Sequence, residues 1–258
     1  MIPRIIHYCW FGGNPLPPLA LKCITSWQRF CPDYVIILWD ENNFDINCNR
    51  YVKEAYAAGK WAFVSDVARL HALVTYGGFY MDTDCELLRP LDDFLALEAV
   101  GGFEDVELVS TALMGCRKGH ALFDELLSDY NNRLFILSDG QYDTTTNVVT
   151  ITDALVKKGL LLNGQKQTVA GLTVYPTEYF CPKNWKTGVL ELTEDTYTIH
   201  HFDGSWLTDE EKNVRGIITL YRKKYGNRAG VVLFVITAFL TFDKNKINYV
   251  IKKLKKRQ

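Results

Sequence analysis

The sequence predicts an α/β fold with a mainly parallel central sheet flanked by helices. Three observations support this. The chain opens with a strand, a helix and a second strand, and strand-like and helical segments continue to alternate after them. At 258 residues it is long enough to bury one large core. Its 48% apolar and 23% charged residues exclude a disordered chain, a collagen-like repeat and a multi-pass membrane protein.

The first three elements follow one another through short connections. An apolar, β-favouring run from Ile2 to Phe11 stops at Gly12-Gly13, as a buried strand that ends in a loop would. Between Pro17 and Phe30 the apolar residues recur at helical spacing, and Pro32 ends the run. Tyr34 to Trp39 is the second predicted strand. This order is how a parallel α/β sheet begins.

Two helices and a short strand come next. The segments 51–59 and 61–76 have helical periodicity, and Gly77-Gly78 ends the second of them. The strand Phe79 to Met81 leads directly into Asp82 and Asp84. Beyond this point we predict strands at 99–103, 109–114, 172–175 and 197–200, and helices at 120–132 and 148–158.

The net charge of -1 hides a strong asymmetry along the chain. Residues 1–211 carry 16 Lys and Arg against 29 Asp and Glu, whereas residues 212–258 carry 13 against the single acid Asp243. An acidic body repels a polyanion, so we expect no nucleic-acid partner. The sequence therefore predicts a main domain over residues 1–210 and a basic helical appendage over residues 211–258.

The appendage combines apolar and basic residues. Val231 to Phe242 carries no charge, and at twelve residues it is shorter than the ~20 that a membrane-spanning helix needs. An apolar stripe then follows among lysines: Ile247, Val250, Ile251 and Leu254. This composition is typical of an interfacial helix and predicts attachment to an anionic membrane surface. The alternative is that the uncharged run packs on the body and the lysines only keep the terminus soluble.

The seven cysteines are widely spaced and include no Cys-x-x-Cys pair. This pattern favours reduced, buried thiols in a reducing compartment over a disulfide framework or a zinc ribbon. The first ten residues do not have the form of a signal peptide. The predicted address is cytoplasmic, peripheral on the cytoplasmic face of the cell membrane.

The segment from Phe63 to Glu86 carries most of the chemistry. Asp66 and Arg69 share one face of a predicted helix, which suits either a joint binding site or an ordinary surface ion pair. Asp82 and Asp84 follow a strand with a spacing that directs both carboxylates the same way. Such a pair suits a hard divalent cation, although a bare Asp-x-Asp arises by chance about once in every chain or two of this size. Its position at the carboxyl end of a strand makes it more informative, because open α/β sheets bind ligands there.

Three separated motifs carry a family resemblance. They are Ile2 to Gly13, then Ser65-Asp66-x-x-Arg69 with Tyr76-Gly77-Gly78-x-Tyr80-x-Asp82-x-Asp84, and last His200 to Trp206. In this order they resemble the DXD-containing, GT-A-fold retaining glycosyltransferases. The most similar patterns are those of the family of fungal initiating α-1,6-mannosyltransferases and bacterial capsular polysaccharide glycosyltransferases, and of the glucosyltransferase domains of large clostridial toxins. The resemblance covers about residues 1–210 and implies a GT-A type, Rossmann-like sheet.

The resemblance also implies roles for single residues. Asp82 and Asp84 would bind Mn²⁺ or Mg²⁺, with His201 as the third ligand and Asp203 as the alternative to it. His200 and His201 point to opposite sides of a strand, so at most one of them is expected in the site. Asp66, Arg69, Asp82 and Asp84 form the expected catalytic set. The donor, most simply a UDP-sugar, would contact Trp10, Phe11, Gly12, Asp66, Arg69, Tyr80, Asp82, Ser205 and Trp206.

The acceptor side is expected in the second half of the main domain. Residues 1–105 would bind the nucleotide sugar. Residues 106–210 would bind a saccharide acceptor, expected to be lipid-linked, with Asp143 and Asn147 as contacts. The implied activity is a retaining transfer of a hexose in the synthesis of a bacterial surface polysaccharide such as a capsule or O-antigen.

Two other classes of protein are alternatives. One is an Asp-x-Asp phosphohydrolase, which is disfavoured because Glu86 occupies the place of that family's threonine. The other is a non-catalytic membrane- or nucleic-acid-binding protein that uses the basic appendage.

Overall fold

The computed structural model describes residues 1–204, 207–240, 246 and 249. Its strands are β1 Ile5–Cys9, β2 Val35–Trp39, β3 Gly78–Met81, β4 Cys85–Leu87, β5 Ala99–Asp105, β6 Leu108–Val109, β7 Leu113–Cys116, β8 Gln167–Val169, β9 Leu172–Tyr175 and β10 Thr198–His200. An eight-stranded sheet has the order β2-β1-β3-β7-β5-β9-β8, with β6 paired to β5. Strands β1, β2, β3, β5 and β9 run in one direction, and β6, β7 and β8 run against them. A separate two-stranded sheet joins β4 to β10. The predicted α/β fold with a mainly parallel central sheet and flanking helices is confirmed.

The bounds of the elements agree closely with the sequence periodicity. The helices are α1 Pro18–Phe30, α2 Arg50–Ala57, α3 Trp61–Tyr76, α4 Ala121–Asp129, α5 Asn147–Lys157, α6 Thr177–Phe180, α7 Asp209–Tyr225 and α8 Asn227–Leu240.

The strands bury both faces of the sheet. Along β3, Phe79 and Met81 belong to one apolar cluster, with Trp27 of α1, whereas Tyr80 belongs to another, with Leu70 of α3. This alternation follows from the period of two in a strand and requires helices on both sides. All seven cysteines are free, and six of them are buried, as the reduced-thiol interpretation predicts.

One predicted strand, 109–114, is interrupted. It divides into β6 and β7, because the chain between them turns its carbonyl groups toward the neighbouring elements. The Thr111 carbonyl accepts a hydrogen bond from Arg69, and the Ala112 carbonyl accepts one from the Asp82 backbone N–H at 2.8 Å. The interruption therefore provides backbone partners for two of the predicted site residues.

Two glycines allow α3 to lead directly into β3. Gly77 and Gly78 have φ values of 69° and 100°, in the positive-φ region that residues with a Cβ atom disfavour. A Cβ atom on Gly78 would lie 2.7 Å from the Ile5 carbonyl oxygen, so only glycine permits β3 to pair this closely with β1. The turn fixes where the strand ends and hence where Asp82 lies.

The chain divides into two compact units. The first contains Met1–Pro182 and Leu192–His201, and the second contains Lys183–Glu191 and the chain from Phe202 onward. The predicted functional boundary between residues 210 and 211 stays a prediction. Among the described residues, no helix is both long enough and apolar enough to span a membrane.

Candidate functional site

The carboxyl end of β3 gathers three side chains with metal-binding atoms. Asp82 and Asp84 follow the strand, and the Cys85 N–H donates to the Asp82 carbonyl at 2.9 Å, which tightens the turn between them. β4 begins at Cys85 and pairs antiparallel with β10, so that His200 lies opposite Cys85. One ligand atom from each of Asp82, Asp84 and His200 lies within 4.8 Å of the other two. Two carboxylates and an imidazole suit a divalent cation such as Mn²⁺.

The histidine in this cluster is His200 and not the predicted His201. His200 Nε2 lies 3.4 Å from Asp84 Oδ1. His201 points the other way, with its Nε2 2.8 Å from Glu86 Oε2, because neighbouring residues of a strand project to opposite faces. Glu86 also pairs with Lys22 at 2.7 Å. Asp203, the alternative ligand, lies in the second unit, 3.4 Å from Lys212 Nζ.

The charges of this cluster shift the pKa of His200. Burial disfavours the imidazolium, but the adjacent Asp84 carboxylate outweighs burial and holds the pKa of His200 well above its ordinary value. The ring therefore carries a positive charge where two carboxylates meet. A divalent cation bound here would displace the proton from the ring, since only a neutral imidazole is a metal ligand, and would supply the positive charge in its place.

Arg69 connects this cluster to Asp66. Its Nη2 lies 3.4 Å from Asp66 Oδ1 and 3.3 Å from Asp82 Oδ1. The guanidinium also lies over the Tyr80 ring, 4.5 Å from its centroid. Asp66 and Arg69 are only 7% and 6% exposed, so the interpretation as an ordinary surface ion pair is wrong. The buried arginine links both halves of the motif in one network of hydrogen bonds and charges.

Asp66 and Tyr80 complete the buried part of the site. Burial raises the pKa of Asp66 to about 6, although Arg69 and the Asn147 N–H both favour the carboxylate. The Tyr80 hydroxyl donates to Asp82 Oδ1 at 2.9 Å. Tyr80 is fully buried, so its role here is to orient Asp82.

The residues after β1 lie at the same edge of the sheet as those after β3, because the two strands are parallel neighbours. Trp10 is partly buried, and its Nε1 donates to the Asn14 carbonyl at 2.6 Å. The Phe11 side chain is buried against Phe44, so only its backbone remains for a ligand. The Gly12 N–H donates to Glu41 Oε1 at 2.6 Å. The remaining predicted donor contacts, Ser205 and Trp206, lie outside the described residues.

Both predicted acceptor contacts have partners inside the first unit. Asn147 is 1% exposed, and its side-chain Nδ2 donates to the Asp66 backbone carbonyl at 2.7 Å. Asp143 Oδ2 lies 2.6 Å from Arg133 Nη2. A buried Asn147 supports Asp66 and is not itself open to an acceptor. The Tyr130 hydroxyl donates to Asn147 Oδ1 at 2.6 Å, a contact that no sequence pattern indicates because it joins residues on separate elements.

A family match covers the part of the chain that contains the Asp82 and Asp84 pair. Residues 17–100 match the family described as a glycosyltransferase sugar-binding region containing a DXD motif. That stretch contains Asp66, Arg69, Asp82 and Asp84. This stretch is therefore similar to a DXD-type sugar-binding region, and the predicted resemblance to DXD-containing glycosyltransferases is confirmed.

The particular relatives are mannosyltransferases and a viral glycosyltransferase. Inositol phosphoceramide mannosyltransferase 3 of Schizosaccharomyces pombe is 31% identical over 46% of this chain and 34% of its own length. Inositol phosphoceramide mannosyltransferase 1 of the same yeast is 34% identical over 37% of this chain and 32% of its own. The uncharacterized glycosyltransferase L373 of Acanthamoeba polyphaga mimivirus is 29% identical over 50% and 55%. The chain thus spans about a third of the two yeast relatives and about half of the viral one.

Among solved structures, the PaToxG glycosyltransferase is similar over 61% of this chain and 70% of its own, at 15% identity and a TM-score of 0.48. A glycosyltransferase involved in the glycosylation of the major capsid of PBCV-1 is similar over 83% of this chain and all of its own, at 12% identity and a TM-score of 0.41.

Proposed function

We propose that the protein is a metal-dependent glycosyltransferase that moves a hexose from a nucleotide sugar, most simply a UDP-sugar, to a saccharide acceptor. The observation that carries this proposal is the continuity of the site. Arg69 lies within 3.4 Å of both Asp66 and Asp82, and Asp82 belongs to the cluster with Asp84 and His200. A sugar-binding pair and a candidate metal cluster are therefore adjacent parts of one site.

Asp82, Asp84 and His200 are the residues that would hold the cation, as Mn²⁺ or Mg²⁺. When bound, such an ion supplies Lewis-acid stabilisation of the diphosphate leaving group. His200 takes the place in the ligand set that the sequence suggested for His201. Trp10, at the end of β1, offers an aromatic face for the donor's base.

Asp66 and Arg69 have complementary hydrogen-bonding capacity for a sugar. A carboxylate accepts from sugar hydroxyl groups, and a guanidinium donates in a fixed fork. Both are held rigidly by neighbours, which fixes the position of a bound hexose relative to the metal cluster. We infer a retaining transfer, in which the acceptor attacks the face of the sugar that the diphosphate leaves.

The test of this function is a donor panel with a matched variant. UDP-glucose, UDP-galactose, UDP-N-acetylglucosamine and GDP-mannose are each added with Mn²⁺, and thermal stabilisation and release of the nucleoside diphosphate are measured. GDP-mannose is included because two relatives are named mannosyltransferases. We expect one donor to stabilise the protein and to be turned over only with a divalent cation. Asp84→Asn should abolish the turnover and leave the far-UV spectrum unchanged.

Two results would contradict the proposal. One is that no nucleotide sugar binds to the wild-type protein with Mn²⁺ present. The other is that Asp84→Asn behaves as the wild type does. Release of phosphate from simple phosphomonoesters would favour the phosphohydrolase alternative instead.

The second unit supports a further part of the proposal, attachment to the anionic cytoplasmic face of a membrane. α8 packs on α7 through Phe234, whose ring lies 6.3 Å from that of Tyr221. On its other side Val232, Leu233 and Ile236 are exposed. Arg228 is the sole charged residue of α8, and Lys223 and Lys224 end α7 just before it. An exposed apolar face beside basic residues suits an interfacial helix, and a lipid-linked acceptor in surface polysaccharide synthesis would lie at that membrane.

A further inference from the structure

Asp66 is held from two directions by one buried residue. Asn147 begins α5, and its backbone N–H donates to Asp66 Oδ2 at 3.3 Å. Its side-chain Nδ2 donates to the Asp66 backbone carbonyl at 2.7 Å. The first bond fixes the carboxylate, and the second fixes the turn of α3 that carries it.

The orientation of the Asn147 amide depends on a tyrosine from another element. The Tyr130 hydroxyl, in the 3₁₀ turn that follows α4, donates to Asn147 Oδ1 at 2.6 Å. An asparagine amide has an oxygen on one side and an NH₂ group on the other. Because Tyr130 holds the oxygen, the NH₂ group is directed at Asp66. All three residues are buried, so water does not easily replace a lost partner.

We propose that Tyr130 is a positioning residue for the donor sugar. It acts through Asn147 on Asp66 and contacts no substrate. The inference rests on the proposed function, because it assumes that Asp66 contacts the sugar. Without the hydroxyl, Asn147 Oδ1 loses its hydrogen bond, so the amide is less firmly oriented and the turn of α3 that carries Asp66 is less well fixed. Arg69 keeps its bonds to Asp82 and Thr111, so the metal-binding part of the site stays in place.

The chain offers a closely matched control for Tyr130. The Tyr51 ring packs edge-on against that of Tyr130, with centroids 4.9 Å apart. Its hydroxyl is also buried, but it has no hydrogen-bond partner among the residues that the structure describes. Tyr130→Phe and Tyr51→Phe therefore remove the same atom from neighbouring rings, and only Tyr130→Phe breaks the connection to Asp66.

The experiment compares binding of a nucleotide sugar with binding of its nucleoside diphosphate. Calorimetric titrations with Mn²⁺ use UDP-glucose and UDP, and GDP-mannose and GDP. For Tyr130→Phe we expect the affinity for the nucleotide sugar to fall about 10-fold, the value of one hydrogen bond of about 1.4 kcal/mol. The affinity for the diphosphate should change by less than about twofold, since Asp82, Asp84 and His200 would hold the diphosphate through the cation and the bonds of Arg69 to Asp82 and Thr111 remain. Tyr51→Phe should leave both affinities unchanged.

A double-mutant cycle separates positioning from packing. Asn147→Ala keeps the backbone N–H to Asp66 and should cause the same selective loss as Tyr130→Phe. The two substitutions together should cost no more than either alone, because the residues act in series. If Tyr130→Phe does not fold, Asn147→Ala alone tests the selective loss.

The outcomes distinguish this inference from the proposed function. Three results would overturn the positioning role and leave the glycosyltransferase proposal intact. One is an equal loss of affinity for the nucleotide sugar and for the diphosphate, and another is additive losses of affinity in the double-mutant cycle. The third is a Tyr130→Phe variant that binds both ligands as Tyr51→Phe does. Failure of the wild-type protein to bind either nucleotide sugar would overturn both.

Discussion

At the scale of single residues, Asp66 combines a cost in stability with a role in binding. Its carboxylate is 7% exposed, and burial raises its pKa to about 6 from an ordinary value of 3.8. Between these two pH values the folded protein binds a proton that the unfolded chain has released. The free energy of unfolding therefore falls as pH rises from about 4 to about 6, and the cost then remains at neutral pH.

Asp66→Asn should remove this cost. The new amide oxygen can still accept from the Asn147 N–H, and the side chain at position 66 no longer carries a buried charge. We expect the free energy of unfolding at pH 7.5 to rise by roughly 3 kcal/mol at most, since one pKa unit corresponds to about 1.4 kcal/mol. The gain should disappear below about pH 4, and donor-sugar binding should be lost. Denaturant unfolding of both proteins at the two pH values measures the difference in the free energy of unfolding. A variant less stable than the wild type at pH 7.5 would show that the pairing of Asp66 with Arg69 outweighs the cost of burial.

At the scale of elements, the small sheet of β4 and β10 decides which histidine joins the aspartates. The sequence predicts the strand that becomes β10, and it also predicts that neighbouring histidines face opposite sides. It contains no sign of β4, since Cys85–Leu87 is too short for a periodic pattern. The register that sets His200 opposite Cys85 joins residues 115 positions apart, and only tertiary packing fixes such a pairing.

The two histidines give a direct test of that register. His200→Ala should weaken Mn²⁺-dependent donor binding by about 10- to 100-fold, a range typical for disturbed metal sites. His201→Ala should change it little, because His201 contacts Glu86, which Lys22 also holds. Mn²⁺ titrations of nucleotide-sugar binding measure both variants. A larger effect for His201→Ala would support His201 as the third metal ligand, as the sequence suggested.

The secondary-structure elements also explain which other site residues could be predicted from the sequence. Asp66, Arg69, Asp82 and Asp84 lie on α3 and directly after β3, two elements with clear periodicity and a Gly-Gly junction, so their positions could be predicted from local sequence. Asp143 and Asn147 lie in and after an irregular loop. Their partners, Arg133 and Tyr130, come from another part of the chain, which no local pattern indicates.

At the scale of the whole molecule, the asymmetry of charge predicts how attachment to a membrane depends on salt. Basic residues outnumber acidic ones by 13 to 1 in residues 212–258, and the exposed apolar face of α8 lies in the same part of the chain. Attraction between exposed charges weakens as salt shortens the screening length to about 3 Å at 1 M, whereas apolar burial does not. Binding to vesicles that contain one anionic lipid in three should therefore fall steeply between low and high salt without vanishing. Val232→Glu with Ile236→Glu should remove the salt-resistant part, whereas Leu161→Glu, at a still more exposed apolar site in the first unit, should not. Co-sedimentation measures all three proteins, and equal binding to neutral and anionic vesicles, or equal binding by the wild type and the double variant, would contradict attachment through this face.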